Sequence, residues 1–69
     1  MTLTSLVEMQ GRLNPISVDM EAVEVIQKMD DAGHNGRMMV LLKKTGGKVI
    51  AINMLNVIAV EDEDAGDLG

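Results

Sequence analysis

The sequence predicts a mainly β domain, a small antiparallel barrel or sheet of about five to six strands. The main observation lies in residues 37–60, the densest apolar stretch, where Gly46-Gly47 separates two runs rich in β-branched residues. A Gly-Gly pair supplies the positive φ angles that tight turns between antiparallel strands need. On a strand, residues 49–52 place apolar side chains on both faces, which predicts burial on both sides.

A second observation is an internal similarity between residues 16–26 and 50–60. Ile16, Met20 and Val23 are identical to Ile50, Met54 and Val57 in this alignment. Read as a repeat, each half of the chain contains a strand, a glycine turn, a strand, an Asx-Met step and a further strand. That reading predicts six strands rolled into a small barrel.

The alternative is an α+β domain with one helix at 19–32 packed on an antiparallel sheet. On a helix, Val18, Ala22, Val25, Ile26 and Met29 form one apolar stripe. Asp19 would cap the start of this helix and Gly33 would end it. The sequence leaves both readings open.

The chain is long enough for one domain, which we place at residues 1–60. Before residue 19 we expect a strand within 2–10, a turn at Gly11-Arg12 and a returning strand that contains Pro15. Residues 61–69 are acidic and contain glycine, which predicts a flexible tail.

Composition narrows the classes of function. The net charge of −5 and the lack of aromatic residues disfavour nucleic-acid binding, which uses basic side chains and stacking rings. The chain has no cysteine, and its single histidine, His34, with Asp30 and Asp31, reads as an ordinary loop residue, so we expect no metal site and no cofactor. No apolar run is long enough to span a bilayer. We therefore expect a cytoplasmic protein of a bacterium or of a virus-infected host.

A core built without aromatic rings predicts a marginal monomer and hence a homo-oligomer. No residue pattern indicates catalysis. The sequence favours a non-enzymatic protein-interaction module that self-associates and binds a protein partner. Two alternatives are a small acidic, phage-encoded inhibitor or regulator of a host protein and an oligomeric binder of an anionic small molecule.

Two sets of residues are candidate contacts. Lys43, Lys44 and Lys48 flank the glycine turn and are candidates to contact an anion, although a true phosphate loop leads into a helix. Arg37 and the adjacent Met38 and Met39 are the candidate partner surface, because methionine is common on adaptable binding surfaces.

Residues 53–61, Asn-Met-Leu-Asn-Val-Ile-Ala-Val-Glu, resemble the small FlbD-like proteins associated with bacterial flagella. The shared pattern is a strand, a glycine turn and a strand, then Asn with apolar residues at fixed spacing, followed by Glu. Asp19, Val23 and Ile26 repeat this spacing in the first half of the chain. The resemblance implies a similar strand-rich fold; the Glu- and Val-rich closing segment of that family has no clear counterpart here.

Overall fold

A computed structural model describes residues 3–63 of the chain. In this range the backbone forms five strands, one α-helix and one 3₁₀ turn. In chain order these are β1 (Ser5–Met9), β2 (Ile16–Val18), α1 (Ala22–His34), β3 (Met39–Lys43), β4 (Val49–Asn53), the 3₁₀ turn (Met54–Asn56) and β5 (Val57–Asp62).

The strands form two small antiparallel sheets. One has the order β2-β1-β5 and the other is the β3–β4 hairpin. The sheets meet where β2 passes the start of the hairpin turn: Val18 forms an isolated bridge with Lys44, and the Thr45 amide donates to the Ser17 carbonyl at 3.0 Å. Within residues 3–63 the strands do not close into a barrel. The predicted barrel is therefore wrong, and the α+β alternative is confirmed.

Helix α1 replaces the third strand of the predicted repeat, so the six-strand reading is wrong as well. The helix begins later than predicted, since its N-cap is Glu21, two residues after the predicted cap Asp19. The Glu21 amide donates to the Glu24 carboxylate at 3.2 Å. A carboxylate from β5 also contributes, since Asp62 Oδ1 accepts from the Ala22 amide at 2.9 Å. Acidic groups at this end suit the positive end of the helix macrodipole.

The end of α1 is fixed by Gly36 rather than by Gly33, which lies inside the helix. Gly36 adopts φ +71°, a left-handed conformation that glycine reaches without a Cβ penalty. Its amide donates to the Gly33 carbonyl at 3.1 Å, and the Arg37 amide donates to the Ala32 carbonyl at 2.8 Å. These two bonds form a Schellman motif, which satisfies carbonyls that the helix leaves unpaired.

The core lies between the sheets and α1. It consists of buried aliphatic side chains from every strand except β5 and from the helix: Val7, Ile16, Val18, Val25, Ala32, Val40, Leu42 and Ile52. The glycine turn forms as predicted, with Gly46 and Gly47 at φ +103° and +100°. The predicted two-sided burial of residues 49–52 is wrong, because only the side that carries Ile52 is buried. An antiparallel sheet commonly packs one face on the core and leaves the other in solvent.

The predicted boundary after residue 60 falls inside β5, which continues through Asp62. Glu63 is held as well: its Oε1 accepts from the Thr4 and Ser17 hydroxyls at 2.9 and 3.0 Å. The rest of the predicted acidic tail, 64–69, lies outside the described residues. In the described part of the chain no helix is both long and apolar enough to cross a membrane.

Candidate functional site: the outer face of the β3–β4 hairpin

The outer face of the β3–β4 hairpin carries an apolar surface formed by neighbouring strand positions. We call this surface the hairpin face and define it by Met39, Leu41, Val49 and Ala51. Met39, Leu41 and Val49 are 52 %, 66 % and 64 % exposed, and Ala51 is exposed too. Leu41 lies directly opposite Ala51 in the strand register, so the four side chains are neighbours on one surface.

Strand alternation explains why these side chains point outward. Val40 and Leu42 on β3 and Ile52 on β4 turn into the core, and the residues between them must therefore turn away from it. Single exposed apolar residues are ordinary on protein surfaces, whereas contiguous ones mark contact sites. The hairpin face is thus the strongest candidate for a contact surface on the described chain.

The predicted partner surface lies at the edge of this face. Arg37, Met38 and Met39 are all exposed, with Met38 at 56 %. Arg37 and Met39 line a groove of about 270 Å³ between β3 and the second half of α1, whose helix side is formed by Lys28, Asp31, Ala32 and Asn35. The structure therefore joins Met39 to the hairpin face and places Arg37 beside it.

The charge around the hairpin has one sign. Between Ala32 and Val60 every residue of the Asp, Glu, Lys and Arg types is basic, namely Arg37, Lys43, Lys44 and Lys48, in a chain of net charge −5. Lys43 ends β3 on the exposed side and lies opposite Val49 in the register. The apolar face is thus flanked at its turn end by Lys43, which shares its strand parity, and Lys44 and Lys48 follow in the turn.

The candidate anion contacts Lys43, Lys44 and Lys48 lie together at the turn. Several backbone amides of the turn, however, already donate hydrogen bonds within the chain. The Lys44 amide donates to the Lys48 carbonyl at 2.6 Å, and the Gly47 amide donates to the Lys44 carbonyl at 2.9 Å. The Thr45 amide is bonded to β2. A phosphate loop instead offers its amides to the ligand, so an anion here would depend mainly on the side-chain charges. Anion binding stays a prediction.

The outer edge of β4 completes the site. The bond from Lys44 to Lys48 fixes which residues of the hairpin exchange hydrogen bonds, because bonded and non-bonded pairs alternate in an antiparallel ladder. Ile50 and Ile52 therefore bond toward β3. The amides of Val49, Ala51 and Asn53 and the carbonyls of Val49 and Ala51 point away from it, whereas the Asn53 carbonyl belongs to the following 3₁₀ turn; among residues 3–63 no strand pairs with this edge.

Comparison of the chain with protein-family models, with curated proteins and with solved structures finds no match. The resemblance of residues 53–61 to FlbD-like proteins stays an expectation.

His34 lies apart from the hairpin face, at the last residue of α1. Its Nδ1 is 2.9 Å from the carbonyl oxygen of Asp30 and 3.7 Å from the Asp30 carboxylate. The hydrogen bond to that carbonyl, followed by the negative charge of Asp30 and then of Asp31, raises the pKa of His34 above its ordinary value. The side chain is 76 % exposed, and the described residues contain no group of three or more His, Cys, Asp or Glu that could hold a metal ion.

Leu41, Val49 and Ala51 were not singled out as contact residues by the sequence. Their apolar character and their position beside Gly46-Gly47 place them on strands, which is correct. The sequence signal for exposure is weak: Lys43 shares strand parity with Leu41 and Met39, and a lysine at the end of a strand marks the solvent side. That parity identifies the outer face only when the strand boundaries are known.

Proposed function

We propose that the protein is a non-enzymatic protein-interaction module that self-associates and binds a protein partner through its β3–β4 hairpin. The hairpin face carries this proposal, because Met39, Leu41 and Val49 are each more than half exposed on adjacent strand positions. Covering such side chains gains on the order of 1–2 kcal/mol each. In a single chain these side chains remain in contact with water, and a contact with another protein would release that unfavourable hydration free energy.

The chemistry of the surface supports contact with protein. Two branched aliphatic side chains, one alanine and one methionine form its centre, and basic groups stand at the turn end. An apolar centre with a charged rim is the usual anatomy of a protein–protein interface. Methionine adds adaptability, since its unbranched side chain can fit surfaces of different shape.

Sedimentation velocity over a range of concentrations tests self-association. Interference optics are needed, because the chain has no aromatic residue to absorb near the usual detection wavelength. We expect a mass above that of the 7.4 kDa chain that falls on dilution. A single monomeric species up to several hundred micromolar would refute self-association.

A matched pair of baits tests partner binding. Leu41→Ser removes the most exposed side chain of the hairpin face, whereas Leu13→Ser changes a leucine that is 100 % exposed and lies in the loop between β1 and β2. A protein recovered from a lysate of the source cell by wild type and Leu13→Ser, and lost with Leu41→Ser, is the expected result. Equal recovery by all three baits would remove the hairpin face as the binding surface.

A further inference from the structure

We infer that β4 pairs antiparallel with β4 of a second copy, about a twofold axis at Ala51, so that two hairpins form one four-stranded sheet. The inference rests on the proposed function and specifies how the copies associate. It starts from the row that is directed away from β3, namely the amides of Val49, Ala51 and Asn53 and the carbonyls of Val49 and Ala51. Such a row is a template for another strand.

Within residues 3–63, strand β4 has none of the features that keep outer strands from pairing. Natural edge strands are protected by lysine, proline, inward-pointing charges, bulges or a covering element. The sequence Val49-Ile-Ala-Ile52 contains no charge and no proline, and its pairing with β3 runs through all five residues without a bulge. A regular, uncharged edge fits a second strand along its whole length.

The register follows from length and charge. An axis at Ala51 pairs Val49 of each copy with Asn53 of the other and uses all five residues of β4. It separates the two Lys48 residues by six positions, roughly 20 Å along the strands. An axis at Val49 would bring them to about 7 Å and would leave most of β4 unpaired. An axis at Asn53 would run into the 3₁₀ turn.

Charge complementarity favours the same register. With the axis at Ala51, Lys48 of one copy lies opposite Met54 of the other. In each copy Asp30 lines the surface cavities that Met54 also lines. Lys48 shares strand parity with Ile50 and Ile52, so its side chain lies on the side where α1 packs. The pairing therefore brings Lys48 of each copy toward Asp30 of the other copy, twice about the axis.

The second copy also extends the binding surface. Pairing at β4 places the two hairpin faces side by side on one continuous sheet, with Val49 and Ala51 of both copies at its centre. The partner of the proposed function would then contact a double surface rather than a single hairpin. Edge pairing by five residues is small for an interface, so we expect micromolar rather than nanomolar dimers.

Single cysteines test the register, and the chain provides a clean background because it has no cysteine of its own. In Ala51→Cys the two introduced residues would be directly opposite, with Cα atoms about 5.5 Å apart, which a disulfide can bridge. Val49→Cys is the matched control on the same strand and face, because its two copies would be about 13 Å apart along the strands. A mixture of Val49→Cys with Asn53→Cys restores an opposed pair.

Under mild oxidation we expect a disulfide-linked dimer with Ala51→Cys, a linked dimer in the mixture of Val49→Cys with Asn53→Cys, and no comparable linkage with Val49→Cys alone. Equal cross-linking of Val49→Cys and Ala51→Cys, or no cross-linking of Ala51→Cys at a concentration where wild type is dimeric, would overturn the pairing while the proposed function stands. Wild type that stays monomeric in sedimentation would overturn both.

A charge exchange gives a readout that does not use cysteine. Lys48→Glu and Asp30→Lys each place like charges together and should raise the dimer dissociation constant roughly three- to ten-fold. The double variant Lys48→Glu with Asp30→Lys restores both pairs and should return it toward wild type at low salt. Additive weakening in the double variant would contradict the register. Circular dichroism of each variant confirms that the fold is retained.

Discussion

Gly33 and Gly36, both near the end of α1, are expected to respond in opposite directions to replacement by alanine. Gly33 lies inside the helix, where glycine is less favourable than alanine by about 1 kcal/mol. Gly36 follows the helix at φ +71°, where a Cβ costs about 1–2 kcal/mol. The same added methyl group therefore tests two different functions of glycine.

The surroundings of the two glycines allow these magnitudes to be used directly. A Cβ at Gly33 would meet only Met54 Cε, at 3.4 Å, which is an ordinary contact with the flexible end of a side chain. A Cβ at Gly36 would meet nothing within 4 Å among the described residues, so its cost is that of the backbone alone. We expect Gly33→Ala to stabilise the protein by about 0.5–1 kcal/mol and Gly36→Ala to destabilise it by about 1–2 kcal/mol.

Thermal unfolding followed by far-ultraviolet circular dichroism measures both effects, since the chain has no aromatic fluorophore. For a domain of this size 1 kcal/mol corresponds to roughly 4–8 °C in Tm. Protomer concentration must be equal in all samples, because self-association would raise Tm by mass action. A lower Tm for Gly33→Ala, or an unchanged Tm for Gly36→Ala, would refute this account of how α1 ends.

Three further substitutions test other parts of the structure. Ser5 is fully buried, and its hydroxyl has no partner among residues 3–63. Ser5→Ala should therefore leave the free energy of unfolding unchanged or raise it by about 1 kcal/mol. A loss above that size would mean that the hydroxyl makes a hydrogen bond after all. Asp62→Ala removes the acceptor of the Ala22 amide and should lower the free energy of unfolding in urea by about 0.5–1 kcal/mol. Asp62→Asn can still accept that bond and should lower it less. Equal losses in the two variants would contradict a capping role for Asp62. The pKa of His34 is raised in the folded chain, so the stability that its protonation adds is complete below the unfolded pKa of about 6.5 and is lost as pH rises through the folded pKa. Tm should therefore fall over that pH range in wild type but not in His34→Gln. An identical pH profile for the two proteins would contradict this prediction.

Local signals in the sequence predicted the parts of the fold that depend on a few adjacent residues. The Gly46-Gly47 turn and its flanking strands are correct, because positive φ at paired glycines leaves few other structures. The segment 19–32 could not be decided, since its apolar residues fit both a helical stripe and part of a strand alternation. In the structure the start of α1 is held by a local bond from the Glu21 amide to the Glu24 carboxylate and by Asp62, which is distant in sequence and so invisible to local pattern.

The candidate site was predicted only at its margin. Arg37, Met38 and Met39 were identified from composition, and the structure exposes all three. Val49 and Ala51 were assigned to a buried surface because apolar residues on both faces of a strand usually mean cover on both sides. The periodicity of the sequence does not show whether the second face of such a strand is covered by the same chain or by another. The structure answers for the described residues, in which α1 covers one face of the hairpin and nothing covers the other.

A comparison of the outer strands within the molecule supports the choice of β4 as the joining edge. Strand β5 is the outer strand of the three-stranded sheet, and it ends in Glu61 and Asp62, whose charges oppose the approach of another strand. Strands β3 and β4 are both outer strands of the two-stranded sheet; β3 ends in Lys43, whereas β4 contains no charged residue. The basic residues of the hairpin unit, Arg37, Lys43, Lys44 and Lys48, all precede this stretch in the chain. The hairpin turn occupies the outer edge of β2, and β3 and β5 both end in charged residues, whereas β4 has none; this difference favours pairing at β4 over general aggregation of exposed strands.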